Sequence, residues 1–268
     1  MTSPPLPPWV PPPDPWAALR AHTPARIGLG RSGHSLPTAE VLKFAAAHAQ
    51  ARDAVHTPLD TAALTAALQA DGWATQVLAS RAPDRATYLR RPDLGRRLDA
   101  ASAELLAHPA GAMTLAAAPE LALVLADGLS AQAAQAQGVV VLQQLRQALA
   151  GALVLSPVFV ATQARVALAD EVGGLVGAQA VLILLGERPG LSSPDSLGAY
   201  LTFAPRMGRS DAQRNCVSNI RPAGLKAVDA AARIAWLVRE ALRRRISGVE
   251  LKDDSSVPTL ASGYADPD

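Results

Sequence analysis

The sequence is poor in cysteine and in aromatic residues, and these two shortages already exclude some classes of protein. Its single cysteine, Cys216, excludes an internal disulfide and fits a reducing compartment. Aromatic residues make up 4% of the chain, whereas Ala, Leu and Val dominate an apolar share of 49%. This composition favours closely packed helices and parallel strands, and 268 residues are enough to bury a sizeable core.

Long apolar runs and a strong excess of one charge are also missing. The longest apolar runs reach about ten residues, short of the roughly twenty that span a bilayer. The N-terminus has no basic segment followed by an apolar one, so we predict no secretory signal. The formal net charge of +2 is too small to imply a polyanion partner. We therefore predict a soluble, cytoplasmic chain without membrane or nucleic-acid partners.

The motifs of several enzyme classes are absent. The five histidines all precede the region with an α/β pattern, so no Ser-His-Asp arrangement is visible, and neither a Walker loop nor a G-x-S-x-G elbow occurs. Gly28, Gly30 and Gly33 match G-x-G-x-x-G, but no apolar strand precedes them. We interpret this segment as a basic glycine loop that packs against a partner or a phosphate-bearing ligand. A lone cysteine such as Cys216 is more often a small buried hydrophobe than a nucleophile.

Apolar runs alternate with helical patterns in the second half of the chain. Strands are predicted over residues 121–126, 153–161, 180–185 and 199–203, and helices over 130–150, 168–176 and 227–246. This alternation is typical of βαβ units, so we predict an α/β fold with a Rossmann-like, mostly parallel sheet flanked by helices. An N-terminal helical segment precedes it, with helices over 16–21, 38–55 and 60–70, a short strand within 73–80 and a helix that ends near residue 108.

Charged and backbone-bending residues appear together directly after the strand predicted over residues 180–185. Residues 186–190 are Gly-Glu-Arg-Pro-Gly, and open α/β sheets bind ligands outside the carboxyl ends of their strands. Three more loops are predicted near these ends, at residues 127–130, 163–166 and 215–220. Together they offer backbone amides, small side chains, one carboxylate and a few amide or hydroxyl groups, which suits a large, amide-rich ligand. The residues alone predict a binding crevice and no more.

Five blocks of the sequence carry a resemblance to a known family. They are residues 185–191 (Leu-Gly-Glu-Arg-Pro-Gly-Leu) with Tyr200 and 204–206 (Ala-Pro-Arg), 215–220 (Asn-Cys-Val-Ser-Asn-Ile), 88–98 (Tyr-Leu-Arg-Arg-Pro-Asp-Leu-Gly-Arg-Arg-Leu), 127–130 (Asp-Gly-Leu-Ser), and the loop over 25–38. In these blocks and in their order the chain resembles the small subunit of ethanolamine ammonia-lyase. The resemblance covers roughly residues 16–252.

The resemblance implies a radical enzyme that depends on adenosylcobalamin (coenzyme B12) and converts ethanolamine to acetaldehyde and ammonia. It implies a TIM-barrel large subunit with the substrate site, a Rossmann-like small subunit, and cobalamin held between them in a higher hetero-oligomer. Matched motif by motif, the family's cobalamin contacts fall on Val166, Glu187 and Cys216. The chain would then position the cofactor and carry no catalytic residue or metal ligand. Because it contains no Asp-x-His-x-x-Gly, base-on cobalamin is implied.

Composition and the resemblance together suggest a division of the chain into four parts. We expect a proline-rich disordered arm over 1–15, a helical region that contacts the partner subunit over 16–110, a Rossmann-like cobalamin-binding domain over 111–252, and a disordered tail over 253–268. The arm is shorter than the leaders that some relatives use for packaging into a bacterial microcompartment, which favours the open cytoplasm. A second departure is Ala164, which precedes Arg165 where the family commonly has Gly.

Two other functions are compatible with the residues alone. The first is a free-standing Rossmann-like nucleotide-binding enzyme, although residues 127–130 are not a conventional glycine loop. The second is a nucleic-acid-binding protein that uses its arginine clusters, which would give a steep salt dependence of binding. Basic residues in a last helical turn, such as Arg243–Arg245, are however the expected complement to the helix dipole.

Overall fold

The computed structural model describes residues 14–23, 25–108 and 117–255. The predicted disordered arm (1–15) and tail (253–268) lie almost entirely outside these residues. Contacts divide the chain into two compact units, residues 1–49 and 50–268. The four parts predicted from the sequence stay a prediction.

The first unit contains a short helix, α1 (Ala17–Arg20), and the beginning of a long one, α2 (Thr38–His56). Both helices confirm the sequence prediction. Their large apolar side chains are exposed, as are those of neighbouring residues in this unit: Trp16, Leu19, Leu36, Val41, Leu42 and Phe44. Exposed apolar side chains this close together are typical of a segment that packs against another surface.

The second unit alternates helices and strands. In chain order these are α3 (Thr61–Ala70), β1 (Thr75–Ala79), α4 (Arg85–Arg90), α5 (Ala100–Ala107), β2 (Leu121–Ala126), α6 (Ala131–Leu149), β3 (Leu155–Thr162), α7 (Leu168–Leu175), β4 (Ala180–Gly186), β5 (Leu197–Phe203), β6 (Arg214–Ile220) and α8 (Ala227–Arg244). The four helices α3 to α6 are capped by side chains that accept a backbone N–H from the first turn, those of Asp60, Asp84, Asp99 and Ser130. These caps explain the starts of α3 and α6, which the sequence predicts at residues 60 and 130, whereas α4 is a helix that was not predicted from the sequence.

The six strands form one sheet in the order β1-β3-β2-β4-β5-β6. The first four in this order are parallel, whereas β5 and β6 are antiparallel to their neighbours. The predicted α/β class with a mostly parallel sheet is confirmed. Two details are wrong: the strand predicted over 199–203 is antiparallel because no helix separates it from β4, and residues 215–220, predicted as a loop, belong to β6.

Apolar side chains cover both faces of the sheet. On one face Leu121, Leu123 and Leu125 of β2 belong to a core that includes residues of α3, α6 and α8. On the other face Ala122, Val124 and Ala126 belong to a second core with residues of α5 and α7. Because every residue of β2 and β4 is buried, their sequences are continuous apolar runs, as in other parallel sheets. Within the described residues, no helix is both long enough and apolar enough to cross a membrane.

Two neighbouring strands send the chain to opposite faces of the sheet. The connection that leaves β2 runs through α6, and the connection that leaves β3 runs through α7, which lies on the other face. A crevice opens between strand ends where the chain departs in opposite directions. The fold therefore places a crevice at the carboxyl ends of β2 and β3.

A buried ion pair attaches the antiparallel edge to α7. The guanidinium of Arg214 in β6 donates to the carboxylate of Asp170 in α7, and their side chains are 3% and 2% exposed. Arg214 also donates to Asp211 at 3.1 Å. Burial raises the pKa of Asp170, and the charge of Arg214 opposes that rise. Removal of either partner would leave the other charge buried without compensation, so this pair holds β6 in place.

Gly138 should tolerate a branched side chain poorly. This residue of α6 faces β2, and a Cβ built on it would lie 2.6 Å from Leu125 Cδ1. We expect Gly138→Val to lower the free energy of unfolding by about 1–3 kcal/mol through overpacking. Thermal and urea denaturation measure the effect. Ala136→Val on the exposed side of the same helix is the control and should change stability far less. Equal losses in the two variants would contradict close packing at Gly138.

Candidate functional site

A cavity of about 450 Å³ opens at the carboxyl edge of the parallel strands. Its walls come from the segments that follow β2, β3 and β4, from the arginine-rich segment after α4, and from β5. The lining residues are Tyr88, Pro92, Arg96, Leu129, Arg165, Val166, Ala167, Leu185, Gly186, Glu187, Arg188, Tyr200 and Asp211. The cavity therefore occupies the crevice that the topology creates.

Asp127 joins the segment after β2 to the turn after β3 beneath the cavity. This buried carboxylate follows β2 and accepts hydrogen bonds from the backbone N–H of Gln163 at 2.8 Å and of Ala164 at 3.0 Å. Gln163 has a φ of 54°, a left-handed conformation that non-glycine residues seldom adopt. Burial raises the pKa of Asp127, while these donors and Arg85 favour its charged form. The carboxylate thus fixes the turn that leads from β3 to Val166.

Arg85 connects the same turn to two other segments. Its guanidinium donates to the carbonyl of Gly128 at 2.7 Å and to that of Val55 at 2.6 Å, and it lies 3.4 Å from Asp127 Oδ2. Its Nη2 is buried and has no hydrogen-bond partner among the described residues. Arg85 therefore supplies the positive charge that offsets Asp127 beneath the cavity.

Tyr88 lies between two guanidinium groups. The Tyr88 side chain is fully buried, and its hydroxyl donates to the carbonyl of Ala164 at 3.0 Å. The guanidinium carbons of Arg165 and Arg85 lie 4.2 and 4.7 Å from the ring centroid. Burial raises the pKa of Tyr88, so the hydroxyl stays protonated at neutral pH. Cation–π stacking on a fixed ring holds Arg165 at the cavity wall.

Glu187 forms the opposite wall, directly after β4. Its Oε2 accepts hydrogen bonds from the Ser196 hydroxyl at 2.6 Å and from the backbone N–H of Asn219 at 3.2 Å. Asn219 has a φ of 58°, which points its N–H at the carboxylate. The Oε1 atom of Glu187 has no hydrogen-bond partner within the described residues. The group therefore keeps one acceptor oxygen available to a ligand.

Tyr200 and Cys216 are neighbours across β5 and β6. The two residues are paired in register, and burial together with the neighbouring Cys216 raises the pKa of Tyr200. Burial by surrounding atoms also raises the pKa of the Cys216 thiol, although Tyr200 opposes the shift and the residue is exposed overall. The sequence-based interpretation of Cys216 as a buried hydrophobe is therefore wrong. The raised pKa keeps it a thiol, which is a poor nucleophile.

Of the three residues that the resemblance singled out, two line the cavity and the third lies beside a lining residue. Val166 and Glu187 line it, and Cys216 borders it through its contact with Tyr200. From the sequence, Tyr88, Arg165 and Tyr200 stood out only as members of longer blocks and no ligand contact was assigned to them, yet all three line the cavity. The arginine-rich block over residues 88–98 indicated a contact surface, but its spacing did not show which of its arginines line the cavity.

The first turn of α6 is closed to ligands. Ser130 accepts the N–H of Ala133 at 3.2 Å and donates to the carbonyl of Pro194 at 2.7 Å. A Cβ on Gly128 would collide with the carbonyl of Gly186, so this glycine lets two loops touch. In nucleotide-binding folds the corresponding turn instead leaves its N–H groups free for a phosphate. This geometry disfavours the nucleotide-binding alternative.

A salt bridge positions the segment that carries Arg96. The adjacent Arg97 binds both carboxylate oxygens of Glu171 in α7, at 3.0 and 3.1 Å, and the Leu98 N–H donates to the same group at 2.9 Å. Burial disfavours the Glu171 carboxylate, but these donors outweigh it and lower its pKa. The segment between α4 and α5 is therefore tied to the helix that follows Val166.

The sheet, its flanking helices and the cavity at its carboxyl edge define a Rossmann-like α/β protein. The sequence profile of the ethanolamine ammonia-lyase light chain (EutC) family matches residues 13–252, so the chain belongs to this family. Proteins named ethanolamine ammonia-lyase small subunit are similar to it along most of its length. The protein of Ralstonia nicotianae is 54% identical over 256 residues (93% of this chain and 92% of that protein). The protein of Bradyrhizobium diazoefficiens is 55% identical over 241 residues (89% and 90%).

Glu171 should make stability depend on pH. Its pKa is lower in the folded protein than in the unfolded chain, so its contribution is present above the ordinary carboxyl pKa and is lost as the pH falls through the folded value. We expect Glu171→Gln to lower the free energy of unfolding by about 1–2 kcal/mol at pH 7. The difference in unfolding free energy between the wild-type protein and Glu171→Gln should become smaller as the pH falls below about 4.5.

Thermal denaturation of the wild-type protein and of Glu171→Gln, from pH 7 to below about pH 4.5, measures this difference in stability. Glu104→Gln, at an exposed position of α5, is the control and should stay close to the wild-type protein at each pH. A difference in stability that is the same at every pH would contradict an ionised Glu171.

Proposed function

We propose that this chain is the cobalamin-binding subunit of ethanolamine ammonia-lyase and holds adenosylcobalamin against a catalytic large subunit. Family membership supports the assignment. The observation that carries it is the convergence of Val166, Glu187 and the Tyr200–Cys216 pair at one cavity. The chain brings these residues together from β3, β4 and the antiparallel edge, which are separate in sequence.

The donors and acceptors of the cavity fit a corrin. A corrin carries carboxamide side chains, which both donate and accept hydrogen bonds, and the free Oε1 of Glu187 is an acceptor for an amide N–H. Arg165 offers a buried Nε without a partner among the described residues. Ala167 adds a small surface that lets a flat macrocycle approach the backbone. The fit supports one face of a cobalamin site.

The size of the cavity supports a shared site. A cobalamin with its nucleotide loop is larger than about 450 Å³, so this chain can cover part of the cofactor only. The rest requires a second surface, and we assign it to the large subunit. When bound, adenosylcobalamin supplies the radical by homolysis of its cobalt–carbon bond. Ethanolamine would be converted to acetaldehyde and ammonia on the large subunit's side.

The chain's own residues would bind and orient the cofactor. Glu187 holds a corrin amide, and Val166 packs against the macrocycle. Cys216 stays protonated beside Tyr200, and a thiol competes poorly for cobalt because the thiolate is the metal-binding form. In this role the chain has neither a catalytic residue nor a metal ligand.

The first unit would contact the large subunit. It exposes Trp16, Val41, Leu42 and Phe44, which a partner surface would cover. The complete enzyme would then be a hetero-oligomer of both chains. We assign it to the cytoplasm, with a bacterial microcompartment as the alternative location.

The isolated chain should be inactive. We expect ethanolamine-dependent formation of acetaldehyde only when the chain, its large subunit and adenosylcobalamin are combined, because each subunit provides part of the cofactor site. A coupled alcohol dehydrogenase assay measures acetaldehyde. The large subunit with adenosylcobalamin alone is the control. Turnover by this chain without a partner would contradict the proposal.

Glu187 should contribute to cofactor affinity. In Glu187→Gln the amide oxygen can still accept the Ser196 and Asn219 hydrogen bonds, but the charged acceptor is lost. We expect cobalamin affinity of the two-subunit complex to fall by about 1–2 kcal/mol, or about tenfold. A cobalamin titration followed by visible absorption gives the dissociation constant. Glu250→Gln, at an exposed position that does not line the cavity, should bind as tightly as the wild-type protein. An unchanged titration of Glu187→Gln would rule out the role.

A further inference from the structure

The cavity carries more uncommitted positive charge than negative charge. Of its two carboxylates, Asp211 pairs with Arg214 at 3.1 Å, whereas Glu187 has only the neutral donors Ser196 and the Asn219 N–H, so one carboxylate charge stays unpaired. Three guanidinium groups lie in the same lining, those of Arg96, Arg165 and Arg188. Among the described residues, the side chains of Arg96 and Arg188 have no hydrogen-bond or ion-pair partner. A ligand of this cavity therefore meets free cations.

Arg165 is the fixed member of this group. Its guanidinium stacks on Tyr88 and donates to the Tyr88 carbonyl at 3.3 Å, while its backbone N–H donates to the carbonyl of Gly95 at 2.7 Å. A Cβ on Gly95 would lie 2.9 Å from Arg165 Cγ, so the glycine leaves room for this side chain. A guanidinium held in one orientation is suited to bidentate recognition of an oxyanion.

The chemistry of the proposed ligand and substrate limits what these cations can bind. Corrin side chains are neutral amides, and ethanolamine and ammonium are cations at neutral pH, which a cluster of arginines repels. The anionic group of cobalamin is the phosphodiester in its nucleotide loop. Arginine binds phosphate oxygens more strongly than neutral acceptors because both partners are charged.

We propose that Arg96, Arg165 and Arg188 form a subsite for the phosphodiester of the cobalamin nucleotide loop. The inference rests on the proposed function and adds the orientation of the cofactor, with the nucleotide loop beside the arginine-rich segment and corrin amides beside Glu187. Arg165 provides the rigid contact. Arg96 and Arg188, which are both exposed at the mouth of the cavity, donate to the remaining phosphate oxygens.

The test compares two ligands that differ in the nucleotide loop, which carries the phosphodiester. Cyanocobalamin contains the nucleotide loop, and dicyanocobinamide has the same corrin without the phosphodiester or the base. Each is titrated into the complex of this chain with its large subunit, for the wild-type protein, Arg188→Ala and the double variant Arg96→Ala/Arg188→Ala. Arg206→Ala is the matched control, because Arg206 is exposed, does not line the cavity and follows the opposite end of the sheet.

We expect the dissociation constant of the double variant for cyanocobalamin to rise at least about tenfold, because charged hydrogen bonds are lost. Its dissociation constant for dicyanocobinamide should stay within about twofold of the wild-type value. Arg206→Ala should bind both ligands normally. Equal losses for both ligands would overturn the subsite, because the arginines would then act through the fold or through an acidic surface of the large subunit. Unchanged binding of both ligands would also overturn it. If the wild-type complex bound neither ligand, the proposed function itself would fail.

Discussion

The buried carboxylate of Asp127 is the interaction on which the cavity depends. It accepts the backbone N–H groups of Gln163 and Ala164, and it thereby holds β3's exit turn in a left-handed conformation. That turn decides where Arg165 and Val166 lie. Because an uncompensated buried charge is strongly destabilising, Arg85 is required beside it. The stability of this edge of the sheet and the shape of the cavity therefore come from one network.

The antiparallel strands β5 and β6 supply groups at the cavity that the parallel strands do not provide. A βαβ sheet alone would end at β4 and leave Glu187 with open solvent beside it. The addition of β5 and β6 brings Tyr200 and Cys216 next to the cavity and supplies the N–H of Asn219 to Glu187. The Asp170–Arg214 ion pair fastens this edge to α7, the helix that follows Val166. Both walls of the cavity are thus braced through the same helix.

The protonation states at the cavity favour binding over acid–base chemistry. Burial raises the pKa values of Tyr88 and Tyr200, and crowding raises that of Cys216, so these groups stay neutral hydrogen-bonding partners. The permanent charges are guanidinium groups and two carboxylates, of which Asp211 pairs with Arg214 and Glu187 keeps one oxygen free for a ligand. An open, shallow site of fixed donors and acceptors is the arrangement expected of a subunit that presents a cofactor to another protein, as we propose here.

The sequence by itself determined the α/β class, most helices and strands, and the crevice at residues 186–190, because burial on both faces leaves continuous apolar runs and Asp or Ser caps mark helix starts. It also pointed, through resemblance, to Val166, Glu187 and Cys216. It missed β6, whose residues Asn215, Cys216 and Ser218 are too polar for a strand pattern because β6 is an edge strand. Only the tertiary structure decided that Tyr88, Arg165 and Tyr200 share one cavity with Glu187, because side-chain direction and contacts between distant segments depend on packing, which local sequence patterns do not encode.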